Sequence, residues 1–132
     1  MANSRIILLI DDDSIERFSI KKIITEYLEH ARFISFSSGN DAIDYLTNFQ
    51  STDENCKILI LLNVNLPYLM GEKSLPQFEK ILIEKQKLLQ LHLLNSPTEE
   101  TKASQALLKH NKVDSIIQKP ITVEELKVLL CN

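Results

Sequence analysis

The sequence predicts an α/β domain: a doubly wound, five-stranded parallel sheet with helices on both faces. Three observations predict it. Residues 58–62 (Ile58-Leu59-Ile60-Leu61-Leu62) are consecutively apolar, as in a strand covered on both faces. Apolar runs of this kind alternate five times with segments of helical periodicity. The connections are short, and strand–helix–strand units of that length require parallel strands with crossovers of one hand.

Each element has its own signal. Residues 6–10 are a β-branched apolar run and read as the first strand. Asp13 can cap the helix that follows, with Glu16 completing a capping box. That helix is expected over residues 14–28, with Ile15, Phe18, Ile23, Tyr27 and Leu28 as its apolar stripe. Residues 32–36 form a second, more polar strand. Ser38 or Gly39 begins a helix with Ile43, Leu46 and Phe49 on one face. Residues 51–55 are a polar loop, and residues 56–62 are the third strand. A third helix is expected after Gly71, to about Glu84, with Leu75, Phe78, Ile81 and Leu82 facing inward. Pro76 conflicts with a helix interior, so it belongs in the first turn, before a later start, or at a kink. Residues 88–94 read as the fourth strand. Ser96-Pro97-Thr98-Glu99 then supplies a cap, a proline at the first helical position and a glutamate at the third. That fourth helix carries Ala103, Ala106 and Leu107. Residues 113–117 are the fifth strand. Thr122 caps a last helix, with Glu125 in the box position and Leu126, Leu129 and Leu130 facing in.

Composition narrows the function classes. The 132 residues are expected to form one domain over 1–132, with 44% apolar and 25% charged residues. A net charge of -3, with lysines interspersed among glutamates, makes neither nucleic acid nor an anionic membrane an expected partner. Cys56 and Cys131 are too few for a disulfide framework or a zinc site and read as reduced. The first apolar run is broken by three aspartates, which is no signal-peptide pattern, and no run approaches a membrane span. The expected location is cytoplasmic.

Open α/β sheets place ligands at the carboxyl ends of their strands. The residues expected on that rim are Asp11 and Asp12, Asn63 and Asn65, Asn95 and Ser96, and Lys119. Paired carboxylates there can hold a hard cation such as magnesium. A lysine can neutralise a phosphate as a point charge. An aspartate at position 63 would be the nucleophile for an aspartyl phosphate. Asn63 cannot be: its amide lone pair is in resonance with the carbonyl, and its oxygen carries no full charge.

The set Leu9-Ile10-Asp11-Asp12-Asp13, Leu61-Leu62-Asn63-Val64-Asn65-Leu66-Pro67 with Gly71, Asn95-Ser96 and Lys119-Pro120 resembles the receiver domain of two-component response regulators. The resemblance spans residues 5–130 and implies the chemotaxis-regulator-like, flavodoxin-like fold with strand order 2-1-3-4-5. It places an acidic metal pair at Asp11 and Asp12, a metal-binding carbonyl at Asn65, and the phosphoacceptor position on Asn63. The hydroxyl switch falls on Asn95, or on Ser96 one residue later. The aromatic switch falls on Ile116 and the phosphate-pairing lysine on Lys119, with Pro120 after it, often through a cis bond.

Phosphoacceptor, hydroxyl switch and aromatic switch are thus all replaced, while the acidic pair and the lysine remain. This is similar to the atypical pseudo-receivers. It implies a stand-alone phosphorelay module that is not an enzyme and acts by protein contact on a histidine kinase or other signalling protein. A homodimer would use the face of the fourth helix, fifth strand and fifth helix. With one carboxylate fewer, the magnesium site is expected to be weak or vestigial. The Asn63 amide is expected to donate to Asp11 or Asp12. Two alternatives remain: a conventional phospho-accepting receiver with an altered or alternative acceptor, and a haloacid-dehalogenase-like phosphatase. The latter would use Asp11 as nucleophile and Asp13 as acid–base.

Overall fold

The computed structural model describes residues 5–50, 55–64, 67–96 and 109–131. The strands are β1 (Arg5–Ile10), β2 (Arg32–Phe36), β3 (Lys57–Asn63), β4 (Leu89–Asn95) and β5 (Ser115–Gln118). The described helices are α1 (Ser14–Tyr27), α2 (Gly39–Asn48), α3 (Pro67–Glu84) and a last helix (Val123–Cys131). The expected fourth helix, with Ala103, Ala106 and Leu107, and the residue Asn65 lie outside the described residues.

The strands pair in parallel in the order β2-β1-β3-β4-β5, the expected doubly wound topology. Side chains alternate between two cores, as the two-residue period of a strand demands. Ile6, Leu8 and Ile10 of β1 and Ile58, Ile60 and Leu62 of β3 pack with Ala42, Ile43 and Leu46 of α2 and Phe78, Ile81 and Leu82 of α3. Ile7, Leu9 and Leu61 face the other way, toward Ile20 and Ile24 of α1 and Leu126 of the last helix. Burial on both faces explains why β1 and β3 read as unbroken apolar runs rather than alternating ones.

The helix starts follow the sequence. Asp13 Oδ1 accepts from the N–H groups of Ile15 at 2.9 Å and Glu16 at 3.5 Å. Ser38 Oγ accepts from the Asp41 N–H at 3.3 Å. Thr122 and Glu125 close a reciprocal box, at 3.0 Å one way and 3.1 Å the other. The last turn of α2 contains no basic residue. Lys85, just past α3, supplies that charge by donating to the carbonyls of Leu46 at 2.6 Å and Phe49 at 3.2 Å.

Three details differ from expectation. The buried face of α1 is Ile20 and Ile24, with Ile23 and Leu28 packed at its edge, while Ile15, Phe18 and Tyr27 are exposed. The Asp13 cap fixes where α1 begins, and Arg17 Nη1 donates to the Asp11 carbonyl at 2.7 Å. Together they turn the face of Arg17, Ile20 and Ile24 inward. Helix α3 starts at Pro67, not after Gly71, because a proline at the first position lacks only an N–H that would be unpaired anyway. Pro76 consequently lies inside the helix rather than in its first turn. Strand β5 begins at Ser115, later than the expected residue 113, because Asp114 ties the chain to β4 with its side chain: its Oδ2 accepts from the Leu91 N–H at 2.8 Å.

Candidate functional site

Strands β1 and β3 end side by side, with Ile10 opposite Leu62. The next residue on each strand is polar, Asp11 and Asn63, and both are buried. Strand β4 continues into Ser96, and β5 into Lys119, whose N–H donates to the Asn95 carbonyl at 2.9 Å. These ends form a cleft of about 490 Å³ lined by Asp11, Asp12, Asp13, Glu16, Asn63, Ser96 and Lys119.

Asp11 is its centre, with a side chain 0% exposed. Its Oδ1 accepts from the Asp13 N–H at 2.9 Å and from Asn63 Nδ2 at 3.3 Å. Its Oδ2 has no hydrogen-bond partner and faces Lys119 Nζ at 3.6 Å, a side chain 17% exposed. Burial pushes the Asp11 carboxyl above its ordinary range. The Asp13 N–H, the Lys119 charge and the Asn63 amide pull it back, and neighbouring Asp12 pushes it up further. The amide therefore stabilises the charged form of the carboxylate beside it, where an aspartate at position 63 would repel it.

The structure brings Asp11, Asp12, Asn63, Ser96 and Lys119 into one cleft. Asp12 is exposed on its rim. Asn95 is buried at the end of β4, outside the cleft lining, with its Oδ1 unpartnered. Ile116 is 46% exposed on β5 and does not line the cleft. The Lys119–Pro120 bond is cis. The sequence reading gave no cleft position to Glu16 and no site contact to Arg17. The spacing from Asp13 placed both in the first turn of α1, but only the rotation of α1 decides what they face.

Magnesium is the cation this donor set would take. Among the described residues, no group of three or more His, Cys, Asp or Glu is placed to hold a metal. The oxygens that fit are the carboxylates of Asp11 and Asp12, and Asp11 Oδ2 is a buried acceptor without a donor. Lys119 competes for that oxygen, and Oδ1 already accepts two N–H groups, so the fit is that of a weak site.

No family model matches the sequence, and no curated protein matches it. Solved structures do match, and receiver domains and response regulators are prominent among them. A response regulator receiver protein from Dyadobacter fermentans superposes with a TM-score of 0.75 at 17% identity, covering 96% of this chain and 95% of that one. A CheY-like receiver domain protein from Methanospirillum hungatei gives 0.65 at 21% identity, covering 96% and 90%. The receiver domain of a sensor histidine kinase from Pseudomonas aeruginosa gives 0.67 at 17% identity, covering 98% and 95%. That structure is described with a magnesium ion coordinated in its active-site cleft. At these identities the likeness is one of fold: the chain has the fold of response-regulator receiver domains.

Proposed function

We propose that this chain is a receiver-like module of phosphorelay (two-component) signal transduction. It works in the cytoplasm by protein–protein contact, without accepting phosphate at residue 63. One observation carries the reading: the end of β3 presents an amide that donates to Asp11, not a carboxylate free to attack phosphorus. Lys119, the cation a phosphoryl group would need, is engaged with Asp11. The phosphatase alternative asks Asp11 to be the nucleophile. Its full burial and the two N–H groups on Oδ1 support the non-enzymatic reading instead.

Asp11 and Asp12 would hold magnesium, which when bound supplies positive charge for neighbouring anionic oxygens. The partner is a histidine kinase or another signalling protein. Contact between like copies uses the face of β5 and the last helix. There Ile116 and Val128 are exposed, and Val128 lines a shallow groove with Ile117 and Leu129. The test is incubation with acetyl phosphate, or with beryllofluoride, in the presence of magnesium, read by intact mass and amide spectra. The expected result is no added phosphoryl mass and unmoved amides around Asn63. A stable aspartyl phosphate on the rim overturns the reading.

A further inference from the structure

A second cavity, of about 270 Å³, lies at the opposite end of the sheet from the cleft, between the end of α3 and the start of β5. Its floor is Leu82 of α3 with Leu89 and Leu91 of β4, all three buried. Its walls are polar: Gln86 just past α3, and Asn111, Lys112 and Asp114 ahead of β5. A floor this buried has little apolar surface left to cover, so the cavity suits a small polar guest.

The walls are already tied down. The Asp114 N–H donates to the Leu91 carbonyl, and Asp114 Oδ2 accepts from the Leu91 N–H, each at 2.8 Å. His110 Nδ1 accepts from the Lys112 N–H at 3.1 Å, and its Nε2 meets Glu79 Oε2 of α3 at 3.6 Å. The loop of residues 110–114 is thereby fixed to both β4 and α3, and the seat is formed before a guest arrives.

The wall side chains keep most of their bonding capacity. Lys112 is half-buried, yet among the described residues its ammonium makes no ion pair and no hydrogen bond. Asp114 stands two residues on in the same wall, and the two charges do not pair with each other. The side-chain amides of Gln86 and Asn111 are also without hydrogen bonds among the described residues. A cation and an anion that share a cavity without meeting match a guest carrying both charges. A free α-amino acid carries an ammonium and a carboxylate on one carbon. The two amides, each both donor and acceptor, match a polar side chain.

We propose that this cavity binds a small polar α-amino acid as its zwitterion, with the carboxylate on Lys112, the ammonium on Asp114 and the side chain between Gln86 and Asn111. The guest joins the end of α3 to the start of β5. It leaves the cleft untouched, so the inference is independent of what happens at Asn63.

The test titrates the full chain with L-glutamine and reads backbone amide shifts. N-Acetyl-L-glutamine lacks the ammonium, L-glutaminamide lacks the carboxylate, and L-leucine keeps both charges but has an apolar side chain. L-Glutamine is expected to bind with a dissociation constant of about 1 mM and to move the amides of residues 86, 91 and 111–114. The acetyl and amide analogues should each bind at least about tenfold more weakly, and L-leucine should also bind more weakly. Lys112→Gln should leave the urea midpoint unchanged and erase the preference for L-glutamine over L-glutaminamide, while keeping the preference over N-acetyl-L-glutamine. Asp114→Asn, whose amide oxygen can still accept from the Leu91 N–H, should do the reverse. Equal affinity for L-glutamine and its acetyl and amide analogues overturns the inference. So do shifts at residues 11–16 and 63 instead, no shift with any of these compounds, or an unaltered preference in Lys112→Gln.

Discussion

Asn63 differs from an aspartate by one NH₂ group, and that group is bonded to Asp11. Asn63→Asp replaces a donor with a like charge beside a buried carboxylate. It should destabilise the fold by about 1–3 kcal/mol at neutral pH. Urea unfolding checks this, and millimolar magnesium should recover more stability in the variant than it adds to the parent chain. His92 is a second buried titratable group. Its Nδ1 meets Ser115 Oγ at 2.6 Å and its Nε2 meets Gln90 Oε1 at 3.5 Å. Burial holds its pKa below the ordinary histidine value, opposed by the charge of Asp114. The folded state therefore binds fewer protons than the unfolded chain. His92's contribution to stability is complete above the unfolded value of about 6.5 and is lost as pH falls through the lower folded value. Asp11 has the opposite sign: raised by burial, its contribution is present below the ordinary aspartate value of 3.8 and is lost as pH rises through the folded value. His92→Gln should flatten the fall of the urea midpoint below about pH 6.5. An unchanged slope would show that another group titrates there.

At the scale of elements, the caps and the inward faces of α2, α3 and the last helix were readable, and the face of α1 was not. Asp13, Ser38 and Thr122 cap helices where the sequence places them, because capping joins residues two or three apart. The inward face of α1 was misread because the helix carries more apolar residues than one stripe can hold. Ile15 and Phe18 fall at helical spacing as well as Ile20 and Ile24 do. The choice between the two sets depends on Arg17 reaching the Asp11 carbonyl, a contact no helical period encodes. Ile24→Ala should therefore cost about 2–5 kcal/mol, as truncations in a packed core do. Phe18→Ser should change stability by no more than about 0.5 kcal/mol. Urea midpoints of the two variants check the orientation of α1 directly. Pro76 belongs to the same scale: its position inside α3 follows from a helix start at Pro67 that the apolar stripe did not reveal.

Across the whole molecule, one parallel sheet sends polar residues from four strands to a single rim and leaves apolar residues of β5 and the last helix uncovered elsewhere. Ile116 and Val128 are the exposed members of that second surface. Sedimentation at rising protein concentration should show self-association that Val128→Arg abolishes. The unfolding midpoint should stay where it was, since Val128 is not part of either core. Association that persists in Val128→Arg would move the contact to another face.

The sequence by itself determined the five strands, their parallel sense and the amide at the end of β3. Each follows from local composition: unbroken apolar runs, connections too long for hairpins, and a residue type that cannot carry a nucleophilic charge. Only the tertiary structure decided that Asn63 and Lys119 take opposite oxygens of Asp11, that Glu16 faces the cleft, and that Ile15 and Phe18 face outward. Those outcomes come from competition among distant groups for one buried carboxylate and for the space beneath one helix. That competition begins only once the sheet has brought them together.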